Sequence, residues 1–487
     1  MGAMLGIVDK KGRDVSDTAF MMLDLMSHRG SEAFGVASPR RTVKRTALER
    51  LQKENMASHS VIGYNFAKIS SRDRAQPIQS LDFSVVFDGR LFPPREKCEA
   101  EFFLENLLKP RGNVTNFIRR FNGDYVFAIV GKSGIVAGRD LVGARPLYFG
   151  ESKDFCVIAS ERKALWAIGL ETVDSFPPGK LAVINKRGFS FKTAKSISQP
   201  SLQMIGMDAA VRKLGHCLLR STRRRVSDIE EVAVAFSGGV DSSLVAFLTK
   251  LCNVDARLVC IGLEDQEEKI FAERAAKALE LPLHTVTYSL DDVEEGLPRI
   301  LWLIEEPNPV NVSIAMPIFW AAEQSAKLGF HVLMTGQGGD ELFGGYYRYL
   351  EEYAKHGLAG LQERIYHDVV SSYESNFERD NKVCAFHKVE LRMPFVDREM
   401  VKLALSISPD LKIASPGDML RKRVLRQTAR KLGIPKFIAE KPKKAIQYTT
   451  GVNQALRKLA KKEGLTLRKY VKKIFSKTYK NAGIKHG

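Results

Sequence analysis

From its start to about residue 195 the chain alternates short apolar runs with turns: Leu5–Val8, Val61–Ile69, Phe83–Phe87, Tyr125–Val130, Gly134–Gly138, Phe155–Ala159 and Leu181–Ile184. Runs of this length, rich in β-branched and aromatic residues, predict strands. Helical spacing occurs at Asp17–Ser27, Glu99–Leu108 and Val114–Phe121. Many strands and few helices predict a layered α/β unit over residues 1–195 with sheets packed inside. A polar segment containing Pro200 follows, and it reads as a linker over 196–204. The rhythm then changes. Met207–Arg225 has an amphipathic helical period, Val232–Phe236 is a short apolar strand, and strands at Leu258–Leu263 and Leu283–Tyr288 flank a helix at Phe271–Leu279. Strand–helix–strand alternation predicts a doubly wound parallel sheet over 205–450, with ligands at the strands' carboxyl ends, where Ser237 and Ile261 fall.

The first of those strands leads directly into Ser237-Gly238-Gly239-Val240-Asp241-Ser242-Ser243. Glycines let a backbone approach a phosphate without a Cβ in the way, and a helix start offers unpaired N–H groups to an anion. The Ser237, Ser242 and Ser243 hydroxyls are candidate donors to phosphate oxygens. No Gly-Lys-Ser/Thr ends the loop, so the Walker pattern is excluded. The loop resembles the PP-loop of ATP pyrophosphatases, which cleave ATP between its α and β phosphates. A second glycine turn, Thr335-Gly336-Gln337-Gly338-Gly339-Asp340-Glu341, follows the apolar Val332-Leu333-Met334. Carboxylates beside a triphosphate would weaken its binding unless a cation lay between. That assigns Asp241 and Asp340 to Mg²⁺ as candidate ligands.

Charge and composition narrow the partners. The 487 residues carry 75 Lys and Arg against 56 Asp and Glu, a net charge of +19. Basic clusters at 40–50, 220–225 and from 421 onward raise a nucleic-acid reading, but no stacking aromatics interleave them, so a solvated basic surface is favoured. No apolar run reaches the roughly 18 residues a membrane span needs, and a cytoplasmic protein without a membrane partner is expected. Six scattered cysteines make neither a zinc pattern nor a disulfide framework.

Several strings then become informative together: His28-Arg29-Gly30, Phe121-Asn122-Gly123-Asp124-Tyr125, Gly138-Arg139-Asp140-Leu141-Val142-Gly143-Ala144-Arg145-Pro146-Leu147-Tyr148, Ala159-Ser160-Glu161-Arg162 and Phe176-Pro177-Pro178-Gly179. In this order, and with the PP-loop after them, they resemble the glutamine-hydrolysing asparagine synthetases over nearly the whole chain. The resemblance implies an N-terminal Ntn-hydrolase-type four-layer sandwich and a C-terminal PP-loop synthetase domain. Thr335 and Gly336 would bind ATP. Lys443, in Glu440-Lys441-Pro442-Lys443-Lys444-Ala445-Ile446, would reach the α-phosphate as a compact point charge. Gln337 stands where the family places an acidic residue tied to forming the acyl-adenylate, and it can hydrogen-bond but not act as a base. Glu390 and Arg392, in Val389-Glu390-Leu391-Arg392-Met393-Pro394, are candidates either for the substrate's amino and carboxylate groups or for a buried ion pair.

The glutaminase machinery departs from the family. The family's nucleophilic cysteine follows the initiator Met, and aligning Met-Cys-Gly-Ile with Met4 to Ile7 puts Leu5 there. Phe66 replaces the carboxylate-binding arginine, and Asp88-Gly89-Arg90 replaces the Asn-Gly-Glu that serves oxyanion and amine. An inactive glutaminase domain is expected. The expected activity is therefore adenylation of an amino-acid carboxylate, by resemblance aspartate, with ATP and Mg²⁺, followed by amidation with ammonia, either free or delivered by a protein partner. Gln337 keeps a lactam-type synthetase with another amine acceptor open, and an RNA-associated PP-loop protein is the reading from outside this class. A homodimer is open. Residues 451–487 are expected to be a basic tail, docked on its own domain or binding an anionic partner.

Overall fold

A computed structural model describes residues 2–264, 267–443 and 449–484. The chain folds as two compact units, Met1–Ser196 with Ala385–Glu390 and Phe475–Gly487, and Ile197–Cys384 with Leu391–Ile474.

The first unit holds two antiparallel sheets. One has seven strands in the order Asp174–Ser175, Tyr148–Glu151, Phe155–Ala159, Gly2–Asp9, Ser60–Phe66, Ala33–Ala37 and Thr42–Arg45. The other has six, in the order Gly188–Thr193, Lys180–Asn185, Gly134–Arg139, Gly123–Gly131, Phe83–Leu91 and Ile78–Gln79. The two-residue period of a strand sends alternate side chains to opposite faces, and three cores result. Leu5 and Ile7 pack with Phe20, Leu23, Leu51 and Leu165 from the helices on one outer face. Met4 and Val8 turn the other way, onto Val126, Ala128 and Ile135 of the second sheet. That sheet's far face sets Phe87 and Phe127 against Phe103 and Phe117 of the helices Glu99–Leu108 and Val114–Arg120. The layers run helix, sheet, sheet, helix, the expected four-layer sandwich.

The second unit is built on a five-stranded sheet in the order Leu283–Tyr288, Asp255–Leu263, Glu231–Ala235, Val332–Met334, Glu390–Arg392. The first four strands pair in parallel. Counted along the chain the order is 3-2-1-4-5, the doubly wound arrangement whose reversal lies between Glu231–Ala235 and Val332–Met334.

Residues 451–487 form no unit of their own. Val452–Lys462 buries Val452, Leu456 and Leu459 in the second unit, while Tyr479, counted with the first, sets its ring 5.5 Å from that of Trp166. Of the basic run at 220–225, Arg225 is buried against Asp397 at 2.9 Å and Arg224 pairs with Glu399 at 3.2 Å, while Arg220 and Arg223 are exposed. Among the described residues no helix is long and apolar enough to cross a membrane.

Candidate active site

The sheet's reversal point places two glycine turns side by side. After Ala235 the chain bends through Gly238, whose φ of +67° suits glycine, and a Cβ there would come within 2.9 Å of the Phe271 ring. The helix Val240–Leu251 starts at once, with Gly239 as its N-cap. The Ser242 hydroxyl holds the turn: it accepts from the Ser237 N–H at 3.3 Å and donates to the Gly239 carbonyl at 3.2 Å. The second turn follows Met334, passes through Gly338 at φ +91° and enters the short helix Gly339–Phe343. The turns are packed against each other, since a Cβ on Gly336 would sit 2.8 Å from the Asp241 Cβ.

Between them opens a cavity of about 440 Å³. Of the residues singled out in the sequence, Ser237, Asp241, Ser242, Ile261, Thr335, Gly336, Gln337, Asp340 and Lys443 all line it. Gly238, Gly239 and Val240 contribute backbone to the loop. Ser243 does not serve as expected: its hydroxyl is wholly buried beneath the helix, away from the cavity. Gln337 makes no side-chain hydrogen bond to the described residues. Lys444, Ala445 and Ile446, which completed the lysine string, lie outside the described residues.

Glu390 is corrected more sharply. Its carboxylate is 1% exposed, takes a hydrogen bond from Arg90 Nε at 2.8 Å and lies 3.8 Å from Arg145 Nη2, all within the first unit. A carboxylate already held by buried guanidiniums is not offered to a substrate; it is in a buried ion pair, but with Arg90 rather than with Arg392. Arg392 is also spoken for, by Asp228 at 2.6 Å.

Sequence reasoning missed Lys422. Its Nζ lies 2.5 Å from Asp241 Oδ2 and 2.6 Å from Asp340 Oδ1, while Lys443 Nζ lies 2.8 Å from Asp340 Oδ2. Burial alone would raise the Asp340 carboxyl, but Lys422 and Lys443 outweigh it and hold the group far below the usual carboxylate range. Burial would in turn lower Lys443, and Asp340 and Asp241 reverse that, so its ammonium is kept charged. Neighbouring Glu341 moves the other way, raised by burial and then by Asp340, and it accepts from the Tyr346 hydroxyl at 2.6 Å and from Asn376 at 2.8 Å. Tyr346 and Arg379, from strings that resemble the family's, complete a polar wall together with Arg348 and Asn376, which no motif had marked.

The donor set suits a small hard cation. Asp241 Oδ1 is buried with no hydrogen-bond partner, and a Cβ on Gly339 or Gly345 would lie 3.0 Å from Asp241 or 1.9 Å from Asp340, so both carboxylates sit in a cradle kept clear by glycine. Mg²⁺ is held by one or two carboxylates plus phosphate oxygens and water. Among the described residues no cluster of three or more His, Cys, Asp or Glu side chains could hold a metal ion.

In the first unit, Leu5 is mid-strand, paired to Gly63 and Ala159 and buried in the helix-facing core, so no catalytic side chain could work from that position. The head of the strand is Gly2. Its N–H donates to Asp88 Oδ1 at 2.9 Å and its carbonyl accepts from Arg29 at 3.1 Å. A Cβ at Gly2 would meet the Asn65 carbonyl at 1.8 Å. Asp88 also accepts from the Tyr64 hydroxyl at 3.2 Å. Beside it Phe66, Asp73, Arg90 and Glu99 leave a cavity of about 20 Å³, the room of a single water.

Glycine turns on either side of a parallel sheet's reversal point, with lysines and carboxylates converging there, define a phosphate-handling α/β enzyme. The asparagine synthase family model matches residues 213–360 and 354–484, and the glutamine amidotransferase domain model matches 91–167. The chain is 29% identical over 528 aligned residues to a Methanocaldococcus jannaschii protein named as a glutamine-hydrolyzing asparagine synthetase, covering 96% of each chain. It is 27% identical over 382 residues to the glutamine-hydrolyzing asparagine synthetase of Sandersonia aurantiaca, covering 75% of this chain and 70% of that one. The chain belongs to the asparagine synthase family, whose members are ATP-dependent ligases.

Proposed function

We propose that the second unit activates a carboxylate, the side chain of aspartate by family resemblance, as an acyl-adenylate, releasing pyrophosphate, and that ammonia rather than glutamine then forms the amide. The observation that carries the first half is the convergence of both glycine turns, Asp241, Asp340 and Lys443 on one cavity. A carboxylate is a poor electrophile at neutral pH. Attack of its oxygen on the α-phosphorus of ATP expels pyrophosphate and leaves AMP on the acyl group as a leaving group, and backbone N–H groups at the glycine turn, with Lys443, would hold the charge that develops on the phosphates. The Lys443 ammonium, kept protonated by Asp340, acts as a fixed charge rather than as a proton donor. Asp241 and Asp340 would hold Mg²⁺, which when bound neutralises phosphate charge.

The second half rests on the first unit. Residues 1–7, Met-Gly-Ala-Met-Leu-Gly-Ile, contain no thiol or hydroxyl to attack a glutamine amide. Arg90 fills the neighbouring cleft with a side chain where an acidic partner for a substrate ammonium would be needed, and Asp88 faces Gly2 with a carboxylate where an oxyanion donor would be needed. Gln337, unpaired at the cavity wall, favours as a second reading an amine acceptor other than free ammonia, because no carboxylate stands there to take up a proton. ATP–pyrophosphate exchange tests the proposal: exchange that requires aspartate and Mg²⁺ and ignores glutamine is expected, and exchange absent with every amino acid would overturn it.

A further inference from the structure

Lys422 is built into its position at some expense to the backbone. Arg421 and Lys422 are consecutive non-glycine residues in left-handed conformation, at φ +51° and +54°. The stem then runs past Gly345, where a Cβ would lie 2.3 Å from the Lys422 Cε. Its side chain is 0% exposed, and its ammonium lies between one oxygen of Asp241 and one of Asp340. A lysine that only bound phosphate would have no reason to meet both carboxylates at 2.5 and 2.6 Å.

We infer that Lys422 is a stand-in cation. It neutralises Asp241 and Asp340 while the cavity holds no nucleotide, keeps divalent ions off the bare carboxylates, and yields them when nucleotide brings its metal. Asp241 and Asp340 are largely shielded from water, and Lys443 reaches only Asp340, at 2.8 Å, so without Lys422 the two carboxylates would face each other with one cation at the far oxygen of Asp340 and none at Asp241. An ammonium is one charge on a flexible stem, able to turn from carboxylates to phosphate oxygens without leaving the site. Metal binding is thereby tied to nucleotide binding. The yielding step rests on the cavity being a nucleotide site, whereas the exclusion of metal does not.

The test uses the full-length protein without nucleotide. Mn²⁺ and Mg²⁺ are titrated by calorimetry and in thermal melts into wild type, Lys422→Met and Lys422→Arg. Wild type and Lys422→Arg are expected to take up no ion and to melt at an unchanged temperature. Lys422→Met is expected to bind one ion, and at an ion concentration about tenfold above Kd the folded-to-unfolded ratio should rise about elevenfold. If Lys422→Met shows no melting transition alone, restoration of the transition by Mn²⁺ supports the inference and failure to restore it overturns it. A folded Lys422→Met that ignores the ions, or a wild type that binds them, also overturns it. Should Lys422→Met take up the ion while wild type binds no ATP, the exclusion role stands and the nucleotide reading falls instead.

Discussion

Arg90 provides the sharpest check on the role of the cleft beside Gly2. Its guanidinium, 2% exposed, reaches Asp73 through two hydrogen bonds of 2.5 and 2.8 Å, Glu390 at 2.8 Å and Glu99 at 3.1 Å. In Arg90→Met the stem is replaced but three buried carboxylates lose the guanidinium that joins them, while Arg145 lies 3.8 Å from Glu390. Breaking a buried pair by removing one partner costs about 3–5 kcal/mol. For a unit of roughly 200 residues that corresponds to a fall in Tm of about 6–20 °C, read as displacement of one calorimetric transition. The pH dependence has a definite sign. Burial raises Asp73, but Arg90 outweighs it and holds the carboxyl far below its usual range in the wild type. That contribution is present above the unfolded carboxyl pKa of about 4 and is lost as pH falls. In the variant Asp73 keeps the Ile69 and Ser70 N–H donors but loses the guanidinium, so burial is opposed less, and acid protonates the carboxyl at a higher pH than in the wild type and relieves the penalty. The gap between the two proteins should therefore narrow from pH 7 to pH 4.5. A fall in Tm of under about 2 °C, or a gap that widens in acid, would refute the view that Arg90 is a structural filler.

Gly2→Cys, in chain processed to residue 2, should release no glutamate from glutamine, because the new Cβ meets the Asn65 carbonyl and Arg90 still fills the cleft; an amide-hydrolysis assay checks this, and measurable turnover would contradict it. Lys443→Ala should reduce pyrophosphate exchange by about 10²-fold or more, the usual effect of deleting a charge that stabilises a transition state, with the fold intact by circular dichroism. Lys412 is wholly buried, its amine has no hydrogen-bond partner, and burial lowers its pKa to about 7. Between that value and the unfolded value of about 10.4 the unfolded chain binds more protons, so stability should rise with pH across the window by up to about 1.4 kcal/mol per unit. Urea denaturation at pH 7, 8 and 9 should show the rise in wild type, whereas Lys412→Met should show none and be more stable at pH 7.

Local signals in the sequence were read well where one element's own pattern decides its state. Glu99–Leu108, Phe155–Ala159 and Leu283–Tyr288 form over the residues their spacing predicts. Ala33–Ala37 and the edge strand Thr42–Arg45 were missed because four or five residues carry little periodicity of their own, and Gly35 interrupts the first. The glycine loops were legible because close approach leaves a compositional mark. Lys422 was not, since it reaches Asp241 across 181 positions of sequence and a lone lysine in a basic segment reads as a solvated charge. Glu390 misled for the converse reason: a charged residue near a motif is satisfied by Arg90, 300 positions away. Leu5 was assigned by alignment of four residues, and only strand register shows that the strand's head is Gly2.

Adenylation as proposed requires that the carboxylate oxygen itself attack the α-phosphorus. Incubating the enzyme with ATP, Mg²⁺, ammonium and aspartate labelled with ¹⁸O in its side-chain carboxylate tests this directly by mass spectrometry of the products. One labelled oxygen is expected in AMP for each amide formed. Label found in inorganic phosphate with ADP as the nucleotide product would contradict it.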